Sequence, residues 1–260
     1  MPLHTDRAII VTGAAGSIGY ATAEVLAEQG AKLMLVDIAG EKLEFAAARL
    51  RAAGAIVQAF RADCASPDDV QAYVDATVKA FGRIDGFFNN AGVEGAIAPL
   101  HEYKLEEFDR ILSVNLRGVF LGQAAVTRVM VAQGGGAIVN TASIGSERGL
   151  AGGGAYNAAK HGVVGLTRTG ASEVGMKGVR INCVEPGVIE TPLLNDVLEQ
   201  MFDGDVAKGQ KIVGNIASQE RLGQPREVAT VVSFLLSDEA GYVNGVAWPI
   251  DGGALATIRH

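Results

Sequence analysis

The sequence predicts an α/β fold: one doubly wound parallel sheet of seven strands with helices on both faces, in a single domain over residues 1–260. Three observations carry the prediction. Short β-branched apolar runs alternate with stretches of helical periodicity from start to finish. The runs are near-continuously apolar, as strands are when a parallel sheet is covered on both faces. A glycine-rich turn joins the first run to the first helical stretch, where such sheets meet ligands at the carboxyl ends of their strands.

In order, Ala8–Thr12 is an apolar strand, and helical spacing takes over at Ser17–Gln29. Lys32–Asp37 is the second strand, followed by the helix Glu41–Ala53. Ile56–Arg61 and Ile84–Phe88 are the third and fourth strands, with helical periodicity between them over Pro67–Phe81. A long periodic segment, Leu105–Ala132, leads to the fifth strand at Ala137–Thr141. The helix Ala155–Met176, strand Val179–Val184, helix Pro225–Leu236 and strand Val246–Ile250 complete the alternation. The 34 glycines gather at strand ends and in the runs 134–136 and 152–154, which marks turns and close backbone approaches rather than low complexity.

Residues 188–222 break the rhythm. Helical potential over Pro192–Phe202 is mixed with Gly204, Gly209 and Gly214, and no strand follows. A long insertion after a strand is expected to act as a lid over the substrate.

Composition removes several classes of function. A net charge of −7 gives no electrostatic case for nucleic acid or an anionic membrane. No apolar run approaches a membrane span, and the residues before the first strand do not read as a secretory signal, so a cytoplasmic protein is expected. Cys64 and Cys183 have no CxxC partner, the four histidines are scattered, and no metal is expected.

The chemistry centres on Tyr156 and Lys160. Positions four apart share one face of a helix, so a phenol and an ammonium can lie side by side. Moving a tyrosine from about 10 to about 7 needs roughly 4 kcal/mol in favour of the phenolate. A cation about 4 Å away supplies about that much at an effective dielectric of about 20. Lys160 is therefore expected to lower the Tyr156 pKa. Ser143 stands thirteen residues upstream of the tyrosine.

The first strand runs into Gly13-Ala14-Ala15-Gly16-Ser17-Ile18-Gly19 and then a helix. Backbone amides at such a helix start form an anion site suited to a pyrophosphate. Asp37 ends the next strand, where a carboxylate accepts from both ribose hydroxyls and repels a 2′-phosphate. NAD rather than NADP is the expected cofactor.

With these residues placed, the chain resembles the short-chain dehydrogenase/reductase family, in its small single-domain branch. The resemblance runs over essentially all 260 residues. It rests on the glycine turn, Asp63, Asn89-Asn90-Ala91-Gly92, Asn115, Ser143, Tyr156 with Lys160, Pro186-Gly187 and Asp251-Gly252-Gly253, in family order. The resemblance implies a Rossmann-type fold and a catalytic set of Asn115, Ser143, Tyr156 and Lys160, with Asn115 holding a water. Alongside Gly13, Ser17, Ile18 and Gly19 at the pyrophosphate and Asp37 at the ribose, it implies that Asp63 and the Cys64 backbone hold the adenine ring of NAD. Asn90, Ala91 and Gly92 would line the cleft, and Pro186, Gly187, Ile189 and Thr191 would lie toward the nicotinamide, with Tyr156 and Lys160. It further implies a homotetramer, with the tail Ile258-Arg259-His260 reaching a neighbour.

Two departures stand out. Ser17 occupies a position where the family's turn usually has glycine, and Glu185 precedes Pro186-Gly187 where a small or apolar residue is commoner. Glu185 would touch either a neighbouring subunit or the pocket rim.

The expected reaction interconverts a secondary alcohol and its ketone. Hydride moves between the carbinol carbon and nicotinamide, Tyr156 exchanges the hydroxyl proton, and Ser143 holds the substrate oxygen. Expected pocket walls are Ile144, Gly145, Leu150, Gly153, Val188, Leu194 and Met201, with Val93-Glu94-Gly95 at the rim. They are mainly apolar or small and offer no arginine clamp, which suits an uncharged substrate. Stretches such as 89–95, 115–122 and 160–168 are similar to family members acting on alicyclic alcohols and cyclic ketones. Two other readings are a 3-oxoacyl-carrier-protein reductase, which Asp37 and the acidic balance oppose, and a non-catalytic NAD-binding scaffold, which a complete catalytic set opposes.

Overall fold

The computed structural model describes residues 2–256, and the tail 258–260 lies outside them. Seven parallel strands form one sheet: β1 (Ala8–Thr12), β2 (Lys32–Asp37), β3 (Ile56–Arg61), β4 (Gly86–Asn89), β5 (Gly136–Thr141), β6 (Val179–Pro186) and β7 (Ala247–Ile250). Their spatial order is β3-β2-β1-β4-β5-β6-β7. Strand order reverses between β1 and β4, which places the ligand crevice at their carboxyl ends.

Strand alternation sorts side chains into two cores. Ile9, Val11, Leu33 and Leu35 point to one face. There they meet α1 (Ser17–Glu28), α2 (Gly40–Ala52) and α9 (Pro225–Leu236) through Leu26, Leu43, Val228 and Leu235. Ile10, Met34 and Val36 point to the other. There α3 (Pro67–Phe81), α5 (Val119–Gln133) and α6 (Gly154–Val174) contribute Val74, Val126 and Ala171. Both faces are covered, which is why the strands carry so few polar residues.

Three expectations about the elements change. The fourth strand begins at Gly86 rather than Ile84, because Gln133 takes the Ile84 backbone, accepting from its N–H at 3.2 Å and donating to its carbonyl. The segment expected as one helix over Leu105–Ala132 is α4 (Leu105–Leu112), a π turn (Ser113–Gly118) and α5. The π turn contains Asn115, and such wide turns concentrate at functional sites.

The 188–222 segment holds two helices, not one: α7 (Pro192–Met201) and α8 (Val206–Gly214). Gly209, which argues against a helix on propensity, is required by packing. A Cβ there would sit 2.8 Å from Cδ2 of Phe202. Asp205 supplies the missing start signal by accepting from the Lys208 amide at 3.0 Å.

Candidate active site

The glycine turn lies at the carboxyl end of β1 against the segment following β4. Gly13 has φ 64°, and a Cβ on it would lie 2.9 Å from the Asn90 side-chain nitrogen Nδ2 and 3.1 Å from Cα of Ala91. Only glycine fits that approach. Gly19 is equally constrained, since its Cβ would lie 2.1 Å from the Gly13 carbonyl oxygen. The Thr12 hydroxyl ties the two segments together, accepting from the Asn90 and Ala91 amides at 2.9 and 3.1 Å. Sequence reasoning gave Thr12 no role beyond ending the first strand, although it stands directly before the first glycine of the turn.

Helix α1 starts at Gly16 without a side-chain cap, and its first-turn amides, Ser17, Ile18 and Gly19, have no acceptor among the described residues. Twelve residues of helix stand behind these open donors. They fit the pyrophosphate of a dinucleotide. Asp37 ends β2 next to this turn, accepting from Ala15 N at 3.0 Å and Ala39 N at 2.9 Å. One carboxylate thus braces both the turn and the entry to α2, at the position expected to meet a ribose.

Other predicted cofactor residues are placed as follows. Asp63 is exposed and accepts from the Ala65 amide at 2.8 Å, and Cys64 is buried, with its thiol pushed up to about 12 by burial and the Asp37, Asp63 and Asp69 carboxylates. Asn90 donates to the Thr12 carbonyl at 3.1 Å and accepts from the Thr141 hydroxyl at 3.2 Å, so its side chain binds β1 to β5. Pro186 pairs with Ile250, and a Cβ on Gly187 would lie 2.7 Å from Cα of Asp251. Ile189 is buried in the core, which leaves only its backbone for a cofactor. The Thr191 hydroxyl caps α7, accepting from the Leu194 amide at 3.1 Å.

The structure brings Asn115, Ser143, Tyr156 and Lys160 to one place. Lys160 is buried one turn beyond Tyr156 on α6, with Nζ 5.5 Å from the Tyr156 ring centre. Nζ also donates to the Thr141 carbonyl at 2.8 Å, a partner the sequence did not suggest. The Ser143 hydroxyl accepts from Gly145 N at 3.1 Å in the turn after β5. Asn115 is fully buried. Its side chain accepts from Val93 N at 2.8 Å and donates to the Val93 carbonyl at 2.7 Å. The amide expected to hold a water is therefore engaged at both ends with the segment after β4.

The electrostatics correct one expectation. Burial, reinforced by the Glu94 carboxylate, raises the Tyr156 phenol above its ordinary value, and the Ser143 hydroxyl opposes this only in part. Burial also pulls Lys160 down to about 8, against the Glu94 and Cys183 groups that favour its charge. Desolvation thus dominates the Tyr156 titration, and the phenol stands above its ordinary value rather than below it.

Glu94 is the larger surprise. Its side chain reaches the neighbourhood of Tyr156 and Lys160, and burial raises its own carboxyl pKa while Lys160 pulls it down. The sequence marked the residue only as rim, because its proximity to α6 depends on how the loop after β4 closes.

Among the expected substrate residues, Gly145, Leu150 and Gly153 cluster around Asn157, which donates to the Leu150 carbonyl at 3.1 Å. Ile144 is buried with Ala217 and Ala254 instead of lining open space. Val188 and Leu194 are half-buried at the start of the 188–222 segment, and Met201 is exposed at the end of α7. Glu185, left between a subunit contact and the pocket rim, is neither. It is 1% exposed, and burial with the Glu147 carboxylate raises its pKa to about 7. Among the described residues no helix is long and apolar enough to cross a membrane.

A family model described as enoyl-(acyl carrier protein) reductase matches residues 13–254. Levodione reductase of Leifsonia aquatica is 47% identical over 254 residues, covering 97% of this chain and 95% of that protein. Its crystal structure superimposes with a TM-score of 0.96 over 98% of this chain and 100% of the other. Cyclohexanol dehydrogenase of Acinetobacter sp. (strain SE19) is 40% identical, covering 95% of this chain and 94% of that protein. The 2,5-dichloro-2,5-cyclohexadiene-1,4-diol dehydrogenase of Sphingobium indicum is 39% identical, covering 97% of this chain and 98% of that protein.

Proposed function

Because the chain belongs to the short-chain dehydrogenase/reductase family and is an oxidoreductase of the alcohol–ketone couple, we propose that it interconverts an uncharged cyclic ketone and its secondary alcohol with NAD. The observation that carries this reading is the meeting of Tyr156, Ser143 and Lys160 beside the open amides of the glycine turn. The ring substrate is taken from the relatives, which are named for cyclohexanol, a cyclohexadiene diol and levodione. The choice of NAD is taken from Asp37, whose carboxylate would repel a 2′-phosphate at the edge of the turn.

The nicotinamide, when bound, supplies hydride to the carbonyl carbon or accepts it from the carbinol. In reduction Tyr156 gives its hydroxyl proton to the substrate oxygen, and Ser143 donates a hydrogen bond to the same oxygen as charge develops there. A raised Tyr156 pKa keeps that proton in place at neutral pH, so ketone reduction begins from the protonation state the protein favours. Lys160 spends one N–H on Thr141 and keeps two for ribose hydroxyls. Asn115 positions the Val93 backbone and, with it, the wall of the cleft. Helices α7 and α8 cover the substrate.

The reading extends to assembly and compartment. Phe120 and Leu105, on the α4–α5 side, are 51% and 66% exposed, an apolar surface suited to a homotetramer. Two buried, unpaired cysteines suit a cytoplasmic protein.

The test is turnover of cyclohexanone, cyclohexanol, linear ketones and steroidal ketones with NADH or NADPH, and the corresponding alcohols with NAD. NADH-dependent reduction of ring ketones well above linear ones is expected. Preference for NADPH, or turnover confined to linear or carrier-bound 3-oxoacyl substrates, would overturn the reading.

A further inference from the structure

The segment 93–96 after β4 is held far more firmly than a rim loop needs to be. Asn115 clamps Val93 through both its N–H and its carbonyl. Arg110 donates to the Glu94 carbonyl at 3.0 Å, and Glu107 accepts from the Ala96 amide at 3.1 Å. Gly95 is buried, and a Cβ there would sit 2.5 Å from the Tyr103 hydroxyl. The backbone on both sides of Glu94 is therefore fixed, and with it the point from which its side chain departs.

That side chain has no structural task of its own. Its carboxyl makes no hydrogen bond to any described residue, although the residue is half-buried and lies within electrostatic reach of Tyr156, Lys160 and Tyr103; two residues earlier, a Cβ on Gly92 would lie 3.7 Å from Lys160 Nζ. The Tyr103 hydroxyl is also buried without a hydrogen-bond partner. A carboxyl partly withdrawn from water gains from donors in its surroundings. Here the neighbours are the two groups assigned to the reaction and a second polar group lacking a partner. The pattern is that of a site whose missing partner arrives with the ligand.

We propose that Glu94 binds a second oxygen function of the ring substrate, so that the enzyme prefers cyclic diones, hydroxyketones or diols to ring compounds with one oxygen. The inference rests on the cyclic-ketone reading above. Tyr156 and Ser143 hold the oxygen at the reacting carbon, and Glu94 receives the other, accepting from a hydroxyl or, when protonated, donating to a carbonyl. The same group would exclude ring substrates bearing a carboxylate, because two carboxylates in a poorly solvated cleft repel.

The experiment compares kcat/KM for cyclohexane-1,4-dione, cyclohexanone and 4-oxocyclohexanecarboxylate in the wild type, Glu94→Gln and Glu94→Ala, each verified as folded by its Tm and by NADH binding. The dione-to-monoketone ratio should fall about tenfold or more in Glu94→Ala, the size expected when a polar partner in a site is removed. Glu94→Gln, which can still donate and accept, should keep more of that ratio while improving the anionic ketone severalfold. A ratio that stays constant across all three proteins, with no gain for the anion, overturns the role of Glu94. A wild type that reduces linear ketones but none of the three ring compounds overturns the cyclic-substrate reading, and the inference falls with it.

Discussion

Lys160 Nζ stands 5.5 Å from the centre of the Tyr156 ring while donating at 2.8 Å to the Thr141 carbonyl, so the ammonium is anchored on β5 and looks at the phenol across its ring. An ammonium held this way is an orienting group first and an acidifying one second. Burial dominates the phenol's titration, with Glu94 adding to it.

A pH asymmetry between the two directions follows from that balance. Reduction needs the Tyr156 proton, and the raised pKa keeps it bound well past neutrality. Oxidation needs the phenolate, which becomes commoner as pH rises. Initial rates of ketone reduction should be nearly flat from about pH 6 to 8. They should decline above that range as Lys160, with a pKa of about 8, loses its charge. Alcohol oxidation should climb through the same window by up to about tenfold per unit. An oxidation optimum near pH 6 would contradict the order of these titrations.

Replacing Tyr156 by Phe removes the proton donor and little else, since the ring and its neighbours stay. Turnover should fall by about a hundredfold or more, the usual worth of a positioned acid or base. NADH affinity, read by quenching or calorimetry, should change by less than about threefold because the glycine turn and Asp37 are untouched. Comparable turnover in the variant would remove Tyr156 from the mechanism.

Asp37 offers a test of cofactor choice that also touches the fold. Asp37→Ser removes the charge that repels a 2′-phosphate, and the kcat/KM ratio of NADPH to NADH should rise at least about tenfold. The substitution also weakens acceptance from Ala15 N and Ala39 N, so the Tm should fall modestly, by the order of about 1 kcal/mol of cap energy. A preserved NADH preference would place the discrimination elsewhere.

The alternation of strands and helices and the glycine turn were legible because each follows from a short-range rule: apolar runs, helical spacing, or a motif of fixed length. What escaped depends on contacts between distant segments. Gly209 argues against a helix until Phe202 is seen occupying the space a Cβ would take. Asn115 is an awkward residue in a helix until Val93 supplies both of its partners. A lowered Tyr156 pKa failed as an expectation because spacing along a helix gives proximity and says nothing of desolvation, which here raises the phenol.

Glu185 gives the last prediction, one of stability. It is 1% exposed on β6, beneath the turn bearing Ser143, and one carboxyl oxygen has no hydrogen-bond partner. The nearby Glu147 and Asp251 carboxylates add negative charge, and Arg168 compensates in part. The folded protein therefore keeps a proton on Glu185 up to about 7, whereas an unfolded glutamate releases it near 4.5. Between those values the folded state binds more protons, so this contribution is fully present below about 4.5 and is lost as pH rises through about 7. His4 acts in the opposite sense, since burial and the nearby Arg7 lower it to about 4 and it penalises the folded state as pH falls. The raw stability profile mixes the two, and Glu185→Gln separates them. The neutral amide keeps the size of the side chain and removes the titration. The Tm of the variant minus that of the wild type should increase from pH 5 to pH 8, and a difference independent of pH would show that Glu185 is ionised throughout.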